Sequence, residues 1–390
     1  AEAATIASAR LARRLQAALC DEELLRDAAV CADGDHLVVR APAVDGEAGR
    51  CLRSFLEIAE FLCALCPGAA NNAPLIAEEL RHSYQQECLC LAFRLHVWEA
   101  RHSSVTSVWR HVYCDDDRWA STEARLMFFE QFAAFFGHPL HVMAKSRVPL
   151  SLAQAAACAP EFAPIVQLQL LAVHEELLRV FPSSEDWRSL WRSCCPDVDR
   201  WMQAAMLPGM SPSDFVLLPV HPLNVPHIRE LYVQEFSAQR MAFLSGDVAA
   251  IPAVPTLSLR TLSPLPSAGF AGLRFKVPVP IQATSLPRYV SPVEVLGSTL
   301  VGRSLRRLQL PPELAWQAED HALHLRFGGA GAGTDAPPSS YTYEEARFCS
   351  AIIRVSPAQT VQSGRNIVPL AALFARPGGD SEPALWHDFW

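Results

Sequence analysis

The chain of 390 residues lacks any apolar run long enough to span a membrane. Residues 1–19 form an amphipathic stretch rich in alanine and arginine, without the uncharged core of a signal peptide. No internal repeat is visible either. These absences argue against membrane insertion and against secretion, and they predict a cytoplasmic protein.

Positive charge is scarce, because 33 Lys and Arg residues face 41 Asp and Glu residues, a net charge of −8. A general nucleic-acid-binding protein carries an excess of positive charge, so that class is disfavoured, whereas small anionic substrates in a local basic pocket remain compatible. Half of the residues are hydrophobic and 19% are charged. This balance predicts a core-forming globular chain of two or three domains.

The twelve cysteines lack the spacing of a zinc site. Cys63 and Cys66 form one C-x-x-C pair, with no second pair and no histidine partner at zinc-finger distance. We therefore predict buried thiols and no metal site. The chain also lacks a Ser/His/Asp or Cys/His triad signature.

Residues 1–136 have apolar positions at helical spacing and are predicted to form a helical domain. The predicted elements are helices over 2–27, 49–66, 73–101 and 121–136 and a strand over 36–40. Residues 137–345 contain more proline and shorter segments, with strands predicted over 165–172 and 215–220 and helices over 185–206, 225–236 and 292–308. Since no regular βαβ alternation is visible, an α+β fold with an antiparallel sheet is favoured over a doubly wound sheet.

Residues 255–288 stand out for their polar side chains. Thr256, Ser258 and Arg260 alternate with Leu257 and Leu259, which is typical of a half-buried strand with one polar face.

A second apolar strand is predicted over 277–281, preceded by Lys276 and followed by Thr284, Ser285 and Arg288. Hydroxyls and cations at neighbouring strand ends can bind phosphate or carboxylate groups, so an anionic ligand is expected. A solvated sheet face is the alternative interpretation.

A second group of donors follows the helix predicted over 121–136. His138, His141, Lys145 and Arg147 lie within eleven residues that begin at Gly137. Such a concentration indicates an anion site at a helix end, or else an ordinary basic turn.

Several of these segments resemble motifs of the NRPS-independent siderophore (NIS) synthetases, the aerobactin-synthetase-like IucA/IucC family. Residues 137–147 are similar to the family's GHPxHPxxKxR, 158–162 to aromatic-APEF, 221–224 to HPWQ, 258–288 to SLRT with a lysine strand and T-x-x-x-R, and 351–355 to L-R-E. The departures from these motifs are Val142, Cys158, Leu223, Asn224 and Val355.

The resemblance implies a hand-like architecture and a reaction. We expect a thumb domain over 1–136, a fingers domain with the ATP and carboxylate site over 137–345, and the start of a palm domain over 346–390, the rest of the palm with its E-x-H-x-Q-N motif being absent from this chain. We expect ATP and Mg²⁺ as cofactors and a homodimer. The expected reaction activates a carboxylate of citrate or a related acid as an acyl-adenylate, which an amine or hydroxyl attacks.

The resemblance also assigns residues to roles. It implies that the nucleotide is bound by His138, His141, Lys145, Arg147, Ser258, Arg260, Thr261 and Lys276. It implies that the carboxylate substrate is bound by Ser258, Thr284, Ser285 and Arg288. The catalytic residues expected are Arg260, Lys276, Arg288 and His141, and no metal ligand is assigned. His221 is interpreted as a structural cap.

Two alternatives stay open at the level of sequence. The chain could be a non-catalytic relative that binds nucleotide or citrate, or that supports a partner chain. It could also be one part of a ligase whose remainder lies elsewhere. The motif departures and the missing palm segment motivate both.

Overall fold

The computed structural model describes a mixed α+β chain. Its described residues are 1–21, 29–33, 36–40, 51–65, 70–101, 112, 121–138, 141–205, 211–244, 250–283, 286–305, 307–308, 317, 319–328, 341–359 and 367–373. Within these ranges no helix is both long enough and apolar enough to cross a membrane.

The N-terminal region is mainly helical, as predicted. Its elements are α1 (Glu2–Asp21), β1 (Ala29–Asp33), β2 (His36–Arg40), β3 (Cys51–Leu52), α2 (Phe55–Leu65), α3 (Ala73–Phe93) and α4 (Thr122–Phe136). α3 continues through a π-helical turn at Arg94–Trp98 to Arg101. α4 begins at Ser121, whose side chain accepts a hydrogen bond from Ala124 N, and it buries aromatic residues such as Phe129 and Phe132.

The second region alternates short strands with short helices. Its strands are β4 (Val166–His174), β5 (Leu178–Phe181), β6 (Phe215–Val220), β7 (Met241–Phe243), β8 (Ala250–Pro255), β9 (Thr261–Pro264), β10 (Leu273–Lys276), β11 (Gln282–Ala283), β12 (Leu286–Pro287), β13 (His321–Leu325) and β14 (Ser350–Val355). Its helices are α5 (Leu152–Ala156), α6 (Ser184–Cys194), α7 (Val198–Ala205), α8 (Val225–Leu231), α9 (Val233–Ser237), α10 (Pro292–Leu305), α11 (Tyr343–Ala346) and α12 (Leu370–Leu373).

Nine of the described strands form one sheet, in the order β5-β13-β14-β10-β9-β8-β4-β6, with β7 paired to β4. Every pair in this sheet is antiparallel, which confirms the predicted antiparallel α+β class. β14 lies between β13 and β10, as the third strand from the β5 edge of the sheet. The thumb, fingers and palm boundaries stay predictions.

The two faces of this sheet differ in character. Side chains alternate between faces along a strand, and Cα partners on neighbouring strands share a face. Phe275, Ile353 and Leu262 therefore share the face that packs on the main hydrophobic core. Lys276 and Thr261 share the opposite face, which we call the polar face.

Two helices cover parts of the polar face. α4 docks through Glu130, which accepts two hydrogen bonds from Arg274 of β10 at 2.7 and 3.0 Å. α10 packs Val295 against Ala322 of β13 and Ile352 of β14. Lys276 and Thr261 of this face are Cα partners, as are Arg274 and Arg354.

The structure corrects the two strands predicted within residues 255–288. Residues 256–260 form the turn of the β8–β9 hairpin rather than a strand, because Thr256 N donates to Thr261 O at 2.8 Å. The second strand is β10, and it ends at Lys276 where the predicted one begins. Residues 277–281 are outside any strand, although Val277, Val279 and Ile281 are buried.

Candidate anion-binding site

The β8–β9 turn places Arg260 at the edge of the polar face. Thr261 N donates to Ser258 O at 3.0 Å, which closes the turn, and Val277 N donates to Arg260 O at 2.9 Å, which fixes Arg260 beside the end of β10. Ser258 itself is exposed on this turn, whereas Thr261 is buried.

Arg260 and Lys276 converge on one carboxylate. Arg260 Nη2 lies 3.4 Å from Glu294 Oε1, and Lys276 Nζ lies 3.6 Å from the same oxygen. The other terminal nitrogen of Arg260, Nη1, donates to Tyr289 O. Glu294 is held in turn by the start of α10, where Ser291 N donates to Glu294 Oε2 at 2.8 Å and Glu294 N donates to Ser291 Oγ at 3.1 Å.

A third cation reaches this place from β14. Arg354 Nη2 donates to Thr261 Oγ1 at 3.5 Å, and Arg354 Nη1 lies 3.3 Å from Glu319 Oε1. Sequence reasoning assigned no role to Arg354, although its position in an otherwise apolar strand, Ile352-Ile353-Arg354, marks it as a residue of the polar face.

Arg288 follows the short β11–β12 hairpin. Its backbone is fixed by Arg288 N donating to Ile281 O at 2.9 Å and by Val279 N donating to Arg288 O at 3.1 Å. Its guanidinium has no ion-pair partner among the described residues. Thr284 and Ser285, which were predicted to bind the carboxylate substrate, lie outside the described residues.

We call Arg260, Lys276, Arg288 and Arg354 the cation cluster. Burial lowers the pKa of Arg260, and the charge of Arg288 lowers it further against the opposing effect of Glu294. Burial likewise lowers the pKa of Arg354, and the charges of Arg274 and Arg260 add to that effect. The cluster therefore crowds positive charge in a partly desolvated place, with Glu294 and Glu319 as its paired carboxylates.

The described residues of the histidine loop, 137–138 and 141–147, lie on one side of the cluster. Gln282 N donates to Val148 O at 2.7 Å, which ties the end of the loop to the β11–β12 hairpin. The rings of His138 and His141 lie 6.2 Å apart, edge to face. The pKa of His141 is lowered by burial first, then by the charges of His138, Arg288 and Arg14, so the His141 ring lies within electrostatic reach of the cluster.

Lys145 and Arg147 point away from the cluster, into the protein. Both contact one buried oxygen, Glu161 Oε1, from Lys145 Nζ at 2.5 Å and from Arg147 Nη2 at 2.6 Å. Burial alone would raise the pKa of Glu161, but the charges of Arg147 and Lys145 and their hydrogen bonds lower it to about 2. The Lys145 side chain is 1% exposed. The structure thus separates these two predicted phosphate ligands from the other predicted site residues.

Cations also cap the end of α4, directly before the histidine loop. Carbonyl oxygens in the last turn of a helix lack intrahelical donors and carry partial negative charge. Here three side chains donate to them: Arg10 donates to Phe135 O, Arg14 to Phe136 O and Lys145 to Ala134 O. Gly137 then turns the chain with φ of +66°, a conformation that favours glycine.

His221 lies elsewhere and behaves as predicted. It is fully buried at the end of β6, and its Nδ1 accepts a hydrogen bond from Leu223 N at 3.2 Å. Burial lowers its pKa to about 4, so the ring is neutral. His221 caps the turn at Pro222–Asn224.

Two further features of the described residues bear on ligands. A cavity of about 660 Å³ lies at the β5 edge of the sheet and is lined by residues that include Arg179, Phe181, Leu296 and Arg326, none of which belongs to the cation cluster. No group of three or more His, Cys, Asp or Glu side chains in the described ranges is placed to hold a metal ion.

Comparison with known proteins places this geometry in context. The family model described as "IucA / IucC family" matches residues 125–375, which include every residue of the cation cluster. An uncharacterized protein, y4xN, of Sinorhizobium fredii is 26% identical over 274 residues, or 69% of this chain and 42% of that protein. The L-2,3-diaminopropanoate–citrate ligase of Staphylococcus aureus is 28% identical over 218 residues, or 55% of this chain and 35% of the ligase.

Solved structures show the same fold. The petrobactin biosynthesis protein AsbB of Bacillus anthracis matches with a TM-score of 0.75 at 14% identity, covering 100% of this chain and 64% of AsbB. ATP-bound aerobactin synthetase IucA of Klebsiella pneumoniae matches with a TM-score of 0.64 at 17% identity, covering 97% of this chain and 66% of IucA. The chain thus spans less than half the length of these curated relatives and about two thirds of these solved chains.

Proposed function

Because the chain belongs to the IucA / IucC family, we propose that it is an ATP-dependent siderophore synthetase that joins a carboxylate of citrate, or of a related acid, to an amine or hydroxyl. The acid is activated as an acyl-adenylate with loss of pyrophosphate. The names of its relatives support this choice, since one is a citrate ligase and one solved structure is ATP-bound.

One observation carries the proposal at the level of the site, namely the surplus of positive charge in the cation cluster. Arg260 and Lys276 share a single carboxylate, and Arg288 has no ion-pair partner among the described residues. Crowded, partly buried cations are unfavourable unless an anion joins them, and guanidinium groups bind phosphate and carboxylate oxygens with directed hydrogen bonds. A polyanionic ligand such as ATP satisfies both conditions.

In this proposal Arg260 and Lys276 bind phosphate oxygens, with Thr261 and Arg354 beside them. Negative charge builds up on the α-phosphate and on the departing pyrophosphate, and fixed cations that already point at that charge lower the barrier. Mg²⁺ would be held chiefly by phosphate oxygens, with Glu319 as a carboxylate beside the cluster.

Arg288 and His141 are proposed to face the carboxylic acid. The charge of Arg288 lowers the pKa of both His141 and Arg260, so Arg288 lies within electrostatic reach of the histidine loop and of the phosphate-binding cations. His138 lies beside His141 on the exposed side of the loop. Ser258, Thr284 and Ser285 stay proposed contacts of the nucleotide or the acid.

Lys145 and Arg147 receive a different role in the proposal. Because both are bound to Glu161, we assign them to holding the histidine loop in place and not to direct phosphate contact. The hand-like domain division, the homodimer and the use of Mg²⁺ also belong to the proposal.

The test is release of pyrophosphate from ATP by the chain, measured with a panel of carboxylic acids and with hydroxylamine to trap an acyl-adenylate. We expect release that depends on a citrate-like acid and a hydroxamate of the same acid. Lys276→Ala should abolish most of it, while Arg303→Ala, which removes an exposed cation of α10, should not. ATP binding without acid-dependent release would favour the binding-protein alternative, and absence of both would reject the proposal.

A further inference from the structure

Glu294 occupies the place between the two cations that we propose bind phosphate. Its Oε1 lies 3.4 Å from Arg260 Nη2 and 3.6 Å from Lys276 Nζ. A ligand oxygen bound by both cations would need nearly the same position, because the two nitrogens converge there. The Glu294 side chain is 36% exposed, so a ligand can reach this position from solvent.

Glu294 is ionised in this setting. Burial would raise the pKa of its carboxyl, but the hydrogen bond from Ser291 N and the charges of Arg260 and Lys276 outweigh burial and lower it. The group that faces the two cations is therefore an anion at neutral pH, of the same kind as a substrate carboxylate or a phosphate oxygen.

We propose that Glu294 Oε1 marks a ligand subsite, and that the carboxylate is an internal competitor which an incoming phosphate or carboxylate group displaces. This inference rests on the proposed function, because it assumes that Arg260 and Lys276 bind the anionic ligand. It adds a residue to which no role in the site has been given.

The hydrogen bonds of Glu294 permit displacement without loss of the helix. The cap of α10 uses Oε2 and the backbone N of Glu294, whereas the cations contact Oε1. Rotation of the carboxylate can therefore release the cations while one oxygen still caps Ser291 N. An anion that contacts several members of the cluster gains enough to replace a partly exposed ion pair, which is worth little by itself.

Glu294→Gln removes the negative charge of this side chain while keeping an oxygen that can cap the start of α10. Gln serves at this third helical position of a capping box as Glu does, so α10 should keep its start. The chain offers a matched control in Glu345→Gln, because Glu345 forms the same capping box with Thr342 at the start of α11 and contacts no member of the cluster.

The experiment measures the affinity of the chain for inorganic phosphate, pyrophosphate and tripolyphosphate by calorimetry. If the ligand displaces Glu294, then binding of each of the three anions requires the same carboxylate to move away from the two cations. Glu294→Gln should then tighten all three affinities by a similar factor, about three- to tenfold. Glu345→Gln should change none of them.

Two results would overturn the inference while leaving the site intact. A gain that grows steadily with ligand charge would mean that Glu294 acts only through its electrostatic field while staying in place. Weaker or unchanged binding in Glu294→Gln would mean that Glu294 helps to hold the ligand or is irrelevant to it. If Lys276→Ala binds all three anions as the unmodified chain does, the site itself is misplaced, and the proposed function fails together with the inference.

Discussion

Two groups of cations were assigned to one nucleotide site from their motifs, and the structure gives them opposite surroundings. Lys145 and Arg147 are buried against Glu161, with a helix carbonyl as a further acceptor. Arg260 and Lys276 share the partly exposed Glu294. The first group is closed, because its side chains and their shared carboxylate are buried, and the second is open to a ligand, because its shared carboxylate is 36% exposed.

The comparison shows what distinguishes a structural cation from a binding one. The residue types are the same in both groups, since each combines one arginine with one lysine. In each group the two cations share one carboxylate oxygen, so what differs is the access of solvent to that shared carboxylate. Breaking the closed group should therefore cost stability, whereas breaking the open group should cost ligand affinity, and each prediction below tests one side of this division.

The largest effect is expected from Glu161→Ala. The substitution leaves Lys145 and Arg147 buried without a counter-charge, so the free energy of unfolding should fall by roughly 3–5 kcal/mol. Denaturant unfolding measures the change. The control is Glu185→Ala, which removes a 72% exposed partner of Arg192 and should cost less than about 1 kcal/mol. Equal losses in the two variants would contradict the closed character of the Glu161 group.

Lowering the pH should reduce the stability that Glu161 contributes through its contacts with Lys145 and Arg147. The pKa of Glu161 is lowered from 4.5 to about 2, so its contribution to stability is present above pH 4.5 and is lost as pH falls toward 2. The stability difference between the unmodified chain and Glu161→Gln should accordingly shrink over that range. A difference that stays constant down to pH 3 would show that the charge of Glu161 is not what stabilises the loop.

The next effect concerns the open group. Arg260→Ala and Lys276→Ala should each weaken ATP binding by about 10- to 100-fold, because a charge-assisted hydrogen bond contributes roughly 1.5–3 kcal/mol. The free energy of unfolding should change by less than about 1 kcal/mol, since both side chains are partly exposed. Calorimetric titration and denaturant unfolding of the same preparations measure both quantities. A large loss of stability with unchanged ATP affinity would show that Arg260 and Lys276 stabilise the fold, as Lys145 and Arg147 do, and do not bind ATP.

A smaller and more selective effect is expected from Arg288→Ala. Arg288 lies toward the histidine loop, and it is the member of the cluster without an ion-pair partner in the described ranges. We expect the Michaelis constant for the carboxylic acid to rise more than the constant for ATP. Steady-state kinetics with each substrate varied in turn measure the two constants. A rise confined to the ATP constant would show that the proposed division of the site is wrong.

Much of this architecture follows from sequence patterns, because amphipathic periodicity and local turn chemistry are short-range. Helix α4 and strand β6 lie where the apolar pattern predicts them. The strand predicted at residues 256–260 was wrong, because the alternation of polar and apolar residues there was interpreted as the two faces of a strand. Leu259 of that run is buried, but Leu257 is 38% exposed, as suits a hairpin turn.

The division between the two cation groups could not be predicted, because it depends on contacts between distant segments. Glu161 lies in a recognised motif, yet nothing in its own segment indicates that it binds Lys145 and Arg147. Arg354 joins the cluster only because β14 lies beside β10 in the sheet. Contacts of this kind become visible once the strands are paired.

The smallest predicted effect is a pH dependence that belongs to His141. Its pKa is lowered from 6.5 by burial and by the neighbouring charges of His138, Arg288 and Arg14, so the ring is mostly neutral at pH 7 without ligand. A bound polyanion offsets those cations and raises the pKa of His141, so binding takes up protons and strengthens as pH falls from 7 toward 5.5. His141→Gln should lose this increment, about two- to fivefold in affinity, while the exposed His96→Gln should keep it. The measurement is calorimetric titration of the unmodified chain and of His141→Gln with tripolyphosphate at each pH. Tripolyphosphate itself takes up protons over this range, but that contribution cancels in the ratio of the affinities of the two proteins. A ratio that does not change with pH would place His141 outside the reach of the ligand and confine the open group to the strands.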